Sequence, residues 1–223
     1  MSAYPQLGKT AKERLAALFP LRREDLGADA QLSKKGMAFT TEAYTVEGLG
    51  HLCIMRMNAM LGLMKMETVV LSATEKDLPL FNLDWVGVMG RETQMAELYD
   101  TQLEPLSEDA LSAFARLRDR DVELPDYSSG KAHWYDDILY PCSYAKTGKG
   151  LTQKLNRAAQ DYLACYLELA AAAPACDVET KKAKVESFAQ TLFRQGGPAV
   201  DQVTKLFGEE TARRLILRHM YGI

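Results

Sequence analysis

The sequence predicts an α/β fold, a three-layer α/β/α sandwich around a central antiparallel sheet, and three observations carry that prediction. Segments of period two follow one another from residue 37 to about 101, short polar turns join them, and segments of helical period lie before and after. One strand in the middle of this run is apolar on both faces, so it needs cover from both sides, which two helical layers supply. At 223 residues and 47% hydrophobic content, the chain has enough apolar material for one domain over residues 1–223 with a sizeable core.

In chain order, residues 9–19 place Ala11, Leu15, Leu18 and Phe19 on one face, a short amphipathic helix ending at Pro20. A polar connector leads to the strand MAFTTEAYTV, the turn Glu47-Gly48-Leu49-Gly50, the strand HLCIMRMNAM and the Leu61-Gly62 turn. Three more strands are predicted near 64–73, 78–89 and 92–101, joined by Thr74-Glu75-Lys76-Asp77 and Gly90-Arg91, which makes an antiparallel meander of five. Ser107 then caps a helix with Glu108 and Asp109 in its first turn and Arg116, Arg118 and Arg120 towards its end, as the macrodipole prefers. Residues 121–150 form a long loop with one short strand near 142–146; loops of this length in compact domains are usually functional or ordered by a ligand. The rest is helical: 151–173 up to Pro174, 177–195 up to Gly196-Gly197, a segment from Pro198 to Gly208, and a last helix from 209 to about 220.

Composition narrows the function. With 27 basic and 30 acidic residues and a net charge of -3, nothing points to a nucleic-acid partner. No apolar run has the length of a membrane span, and the start MSAYPQLGKTAKERL lacks a signal-peptide core, so a cytoplasmic protein without a membrane partner is expected. The four cysteines, Cys53, Cys142, Cys165 and Cys176, form no CxxC pair and no zinc-like spacing with His51, His133 or His219; reduced thiols and no metal site are expected. Met55, Met57, Met60, Met64 and Met66 cluster, a pattern of strand packing that also suits a pocket for a large apolar ligand.

The centre of the middle strand carries the candidate chemistry. One face presents Leu78, Leu80, Asn82, Asp84, Val86 and Val88, and the other Pro79, Phe81, Leu83, Trp85, Gly87 and Met89. A carboxylate at Asp84, taken out of water, must find hydrogen bonds, pair with a cation or take up a proton, because an isolated buried charge costs several kcal/mol, roughly. Desolvation raises such a pKa and makes Asp84 a candidate proton donor near neutral pH; the alternative is a ladder ending at a bulge. A simple hairpin puts Glu67 one or two rungs from Asp84, close enough for the two carboxyls to drive their pKa values apart; the alternative places Glu67 on a solvated face with Lys65.

These residues also resemble a known family. METVVLSA followed by DLPLFNLDWVGVMG is similar to the central signature of the ferredoxin-dependent bilin reductases, in which a strand reading LHCVxFP leads into DLPIFGxDxV. HWYDDILYPCSYAK is similar to that family's tryptophan-led segment into a short strand, and KLFGEETARRLILRHMYG to its closing FG-x-x-x-A helix, so the likeness runs from roughly residue 37 to the end. It implies an α/β/α sandwich without a tightly bound flavin, metal or nicotinamide. Single electrons from reduced ferredoxin or flavodoxin would pass directly to a bound linear tetrapyrrole, with protein side chains supplying protons. The bilin is then its own redox centre, and the protein contributes orientation, acids of raised pKa and exclusion of water.

Carried over residue by residue, Asp84 falls on the family's catalytic aspartate and Lys146 where an arginine often pairs with a bilin propionate. Glu67 stands where one branch has a proton-donating histidine, and it is expected as a second proton relay. Arg56 is a second propionate candidate, and Asn82 and Asp201 complete the expected substrate contacts. Two acids of the family have no counterpart, one expected between Met55 and Asn58 and one at Gly196-Gly197-Pro198. The expected activity is therefore an oxidoreductase reducing a biliverdin-like tetrapyrrole by sequential proton-coupled electron transfers through radical states. The alternatives are a non-catalytic tetrapyrrole carrier or degenerate homologue, and an interaction module without a ligand. An acidic electron donor needs a basic patch, for which Arg22-Arg23, Lys34-Lys35 and Arg213-Arg214 are candidates.

Overall fold

A computed structural model of the chain describes residues 4–223, so the first three residues of the N-terminal stretch discussed above lie outside the description. Helix α1 (Leu7–Ala16) buries Leu7, Ala11 and Leu15 against the sheet. It is shorter than the predicted 9–19 because the amides of Leu18 and Phe19 both turn back to the Leu15 carbonyl, which leaves Leu18 exposed. Gly8 explains how closely α1 approaches: a Cβ at this position would stand 2.3 Å from Cγ2 of buried Ile54. Gly8→Ala is expected to destabilise the fold by about 1–3 kcal/mol through this overpacking, read as a lower urea midpoint at unchanged m.

The polar connector is not a plain loop. It holds β1 (Leu21–Arg23), a 3-10 turn (Gly27–Ala30) and β2 (Gln31–Lys34), and both strands pair with the same edge of β3 (Met37–Val46). Their charged, short sequences carry no period-two signal; they form because the outer edge of β3 offers unpaired backbone groups. From β3 the meander runs as predicted through β4 (Gly50–Ala59), β5 (Met64–Ala73), β6 (Leu80–Val88) and β7 (Arg91–Tyr99). The β6–β7 turn is Met89-Gly90, both at positive φ as a two-residue hairpin loop requires, with Arg91 already in the strand. After α2 (Glu108–Arg120), capped as expected by Ser107, the long loop leads to β8 (Tyr144–Lys149), which extends the sheet beyond β7.

On one side of the sheet lie α1, α2 and α3 (Thr152–Ala172), with Phe81, Leu83, Trp85, Phe114, Tyr162 and Tyr166 in a sealed core. Each such burial contributes roughly 2–3 kcal/mol. On the other side lie α4 (Val178–Gln195), α5 (Pro198–Phe207) and α6 (Glu209–Arg213), packed on Phe39, Cys53, Met55, Met57 and Tyr99. Lys181 of α4 is fully buried and donates to the carbonyls of Leu78 (2.6 Å) and Thr101 (2.5 Å), pinning α4 to the ends of β6 and β7; burial pulls its pKa down to about 8.

The last predicted helix is regular only to Arg213. Arg214–Met220 is π-helical, and the Tyr221 amide donates to the Ile216 carbonyl five residues back. The wider turn lets Leu215, Ile216, Leu217, His219 and Met220 all be buried, with His219 against Asp29 (3.1 Å) and its carbonyl against His51 (2.9 Å). All four cysteines are free. Among the described residues no helix is long and apolar enough to cross a membrane.

Candidate active site

Period two decides which residues meet. On β6 and β7 the residues Phe81, Leu83, Trp85, Gln94, Ala96 and Leu98 face α3 and are buried. The opposite face behaves differently: beyond Leu80 its residues Asn82, Asp84, Val86, Thr93, Met95 and Glu97, with Met66 of β5, are only half-buried. The expectation that the middle strand is sealed on both faces is corrected here, since α4 and the C-terminal helices cover one part of this face and leave the part around Asp84 partly open. A half-covered sheet face with apolar Val86, Met66 and Met95 around polar groups has the composition of a ligand floor.

Asp84 sits in the middle of that floor. Its ladder runs without interruption from Leu80↔Tyr99 to Val88↔Arg91, which excludes the bulge. Thr68, directly opposite on β5, donates a short hydrogen bond to Asp84 Oδ1, and Asn82 Nδ2 donates to Oδ2 at 2.6 Å. These bonds favour the carboxylate, but burial and then the charge of Glu97 outweigh them and push the Asp84 pKa up to about 7. The group can therefore hold or release a proton near neutral pH.

Sequence reasoning missed Glu97. It lies opposite Asn82 on β7, and Asn82 Nδ2, already bonded to Asp84, also donates to Glu97 Oε2 at 3.1 Å. Tyr99 donates to the same oxygen at 2.8 Å. Burial raises the Glu97 pKa against these two hydrogen bonds. The signal was present: a two-residue loop at Met89-Gly90 counts back to Asn82 opposite Glu97. The loop before β8 closes the edge of the group. Backbone bonds from Asp100 to Ile138 and from Tyr140 to Leu98 hold it on β7, and Tyr135 packs edge-on to Tyr99 with ring centres 5.9 Å apart. Burial, with the charges of Glu97, Asp136 and Asp84, pushes Tyr135 up to about 12.

Three expected site residues lie on the other face. Glu67 pairs with Trp85, not Asp84, so it points towards α1, where it is fully buried. Its oxygens accept from the amides of Leu7 (2.9 Å) and Gly8 (3.3 Å) and from Arg56 Nε (2.9 Å). Helix α1 has no side-chain cap of its own, and Glu67 fills that place at the positive end of its dipole. The expected Glu67–Asp84 proximity is thus corrected by strand parity: one residue along a strand is the opposite face. Arg56 is committed to Glu67 and to Glu42 (3.4 Å). Lys146 pairs with Gln94, is buried on the α3 side, and donates to Asp126 (2.7 Å) and the Leu124 carbonyl (3.2 Å), which pins the loop.

Asn82 is brought to Asp84 as expected. Asp201 is exposed on α5, in a surface cleft of about 590 Å³ shared with Phe193, Thr204, Lys205 and Arg213, and makes none of the contacts of the Asp84 group. Among the described residues no cluster of His, Cys, Asp and Glu is placed to hold a metal ion.

No protein-family model and no curated protein matches the chain in sequence. Among solved structures its fold is similar to that of phytochromobilin synthase from tomato, determined in complex with biliverdin. The TM-score is 0.78 at 15% sequence identity, over 99% of this chain and 83% of that one.

Proposed function

We propose that the chain reduces a biliverdin-like linear tetrapyrrole by sequential proton-coupled electron transfers, with Asp84 as the principal acid and ferredoxin or flavodoxin as the electron donor. The observation that carries this reading is the half-open sheet face with Asp84, protonatable near neutral pH, at its centre. The likeness in fold to a protein solved with biliverdin supports the choice of ligand. The conjugated tetrapyrrole accepts the electrons itself, so the protein has to hold it flat, exclude water and deliver protons. Arg22, Arg23, Lys34 and Lys35 are exposed at the β1–β2 edge and are the cations offered to an acidic donor. Arg214 is instead paired with Asp29 and Glu210.

A second reading, a tetrapyrrole carrier without turnover, is favoured by one observation: Glu67, Arg56 and Lys146 serve the opposite face and leave fewer groups for acid chemistry and for propionates. Anaerobic titration with biliverdin, followed by photoreduced ferredoxin, separates the two. The reductase is expected to give a saturable absorbance shift, then loss of the biliverdin band through a transient radical absorbance. A shift that survives reduced donor unchanged would leave only the carrier, and no shift would remove biliverdin from both readings.

A further inference from the structure

Asn82 is the unusual residue of the site. The motif that this stretch resembles, DLPIFGxDxV, has glycine at its position, and here an amide stands there with its nitrogen shared between two carboxyls on one open face. We propose that Glu97 is the second proton donor of this site, and that Asn82 couples it to Asp84 so that the two acids act in sequence on one bound tetrapyrrole. The inference rests on the reductase reading above.

Reduction of one double bond consumes two electrons and two protons. The electrons arrive singly from a reduced one-electron donor protein, of the iron–sulfur or flavin class. In the first half, the Asp84 O–H bond breaks, its proton forms a bond to the tetrapyrrole, and with the first electron a neutral radical results. Asp84 is then a carboxylate, stabilised by Thr68 and by Asn82. In the second half, the second electron makes the radical an anion, and the Glu97 O–H proton closes the new bond. Two carboxylates then remain and take up protons from water.

The two acids are coupled through the amide of Asn82, and their charges are coupled as well. The charge of Glu97 raises the Asp84 pKa, and by the same reciprocity a charge on Asp84 holds a proton on Glu97 more tightly, so that proton is kept until the basic tetrapyrrole anion forms. The amide of Asn82 and the hydroxyl of Tyr99 both donate to Glu97 and stabilise the anion left behind. The other ionisable side chains near the pair are Tyr135, His133 and Asp136 of the loop and Tyr221 at the C-terminus. The charge of His133 opposes that of Asp136 at Glu97, and Tyr221 is desolvated and feels both carboxyls. None of them makes a hydrogen bond that joins the two acids.

The test is single turnover of the full chain with bound biliverdin and photoreduced ferredoxin, followed from pH 5.5 to 9. For Glu97→Gln, biliverdin affinity and radical formation are expected to stay within a few-fold of the wild type. Radical decay should slow by about 10²-fold or more and lose its dependence on pH. Glu97→Asp should restore part of the rate together with the pH dependence, which a merely structural role of Glu97 would not do. Decay at the wild-type rate with the wild-type pH profile in Glu97→Gln overturns the inference and leaves the reductase reading standing. A wild-type protein that binds biliverdin but accepts no electron overturns both.

Discussion

Asp84→Asn is expected to lower the rate of biliverdin reduction by about 10²–10⁴-fold, the usual worth of a positioned general acid, while leaving biliverdin affinity within a few-fold. Asparagine reproduces the shape and hydrogen bonding of the protonated acid: its amide can donate to Thr68 Oγ1, and its carbonyl can accept from Asn82, as Oδ2 does now. Only the transferable proton is lost. The same variant carries a stability signature that does not depend on the substrate. The folded-state pKa of Asp84, about 7, lies above the unfolded value near 4, so the folded protein binds this proton more tightly. Its contribution to stability is fully present below about pH 4 and is lost as the pH rises through about 7. Asparagine has no proton to lose, so Asp84→Asn should match the wild type in acid and exceed it at pH 8. The excess is on the order of 3 kcal/mol, a rise in Tm of roughly 5–10 °C. Thermal melts of both proteins across this range check it; a variant less stable than the wild type at pH 8 would contradict the raised pKa.

The second large effect belongs to the opposite face. Glu67→Ala removes a fully buried carboxyl and leaves the amides of Leu7 and Gly8 and the Arg56 guanidinium without it. Losing one partner of such a group costs about 3–5 kcal/mol, because the remaining charge and donors stay desolvated. Arg56 keeps Glu42 and is part-exposed, which places the expected loss near 3 kcal/mol. Urea unfolding measures it, with α1 expected to lose amide-exchange protection first. At low denaturant, where the variant stays folded, the pH dependence of reduction should be that of the wild type. A shift of that profile would mean that Glu67 reaches the chemistry after all.

The contrast between these two carboxyls marks how far the sequence reaches. Alternation and turns place Asp84 and Glu67 on neighbouring strands, but a one-residue change of register moves a side chain from one face to the other. The register Thr68↔Asp84 is a property of the assembled sheet, and it alone separates an acid on the half-open face from a helix cap. Glu97 was within reach of the sequence: a loop at Gly90-Arg91 would set it opposite Asp84, the observed loop at Met89-Gly90 sets it opposite Asn82, and either count leaves it on the Asp84 face.

The sequence by itself determined the strands of the meander, the helices around them, the sandwich class and Asp84 as the residue whose burial asks for a proton. These are local facts: period, caps, turns and the cost of desolvating one charge. Tertiary structure alone decided three further things. It sealed the face of Trp85 under α3 while leaving that of Asp84 half open, it committed Glu67, Arg56 and Lys146 to the sealed side, and it joined Asp84 to Glu97 through a single amide. Each depends on which strands and helices meet across the fold, and contacts between residues far apart in the chain have no periodicity for the sequence to display.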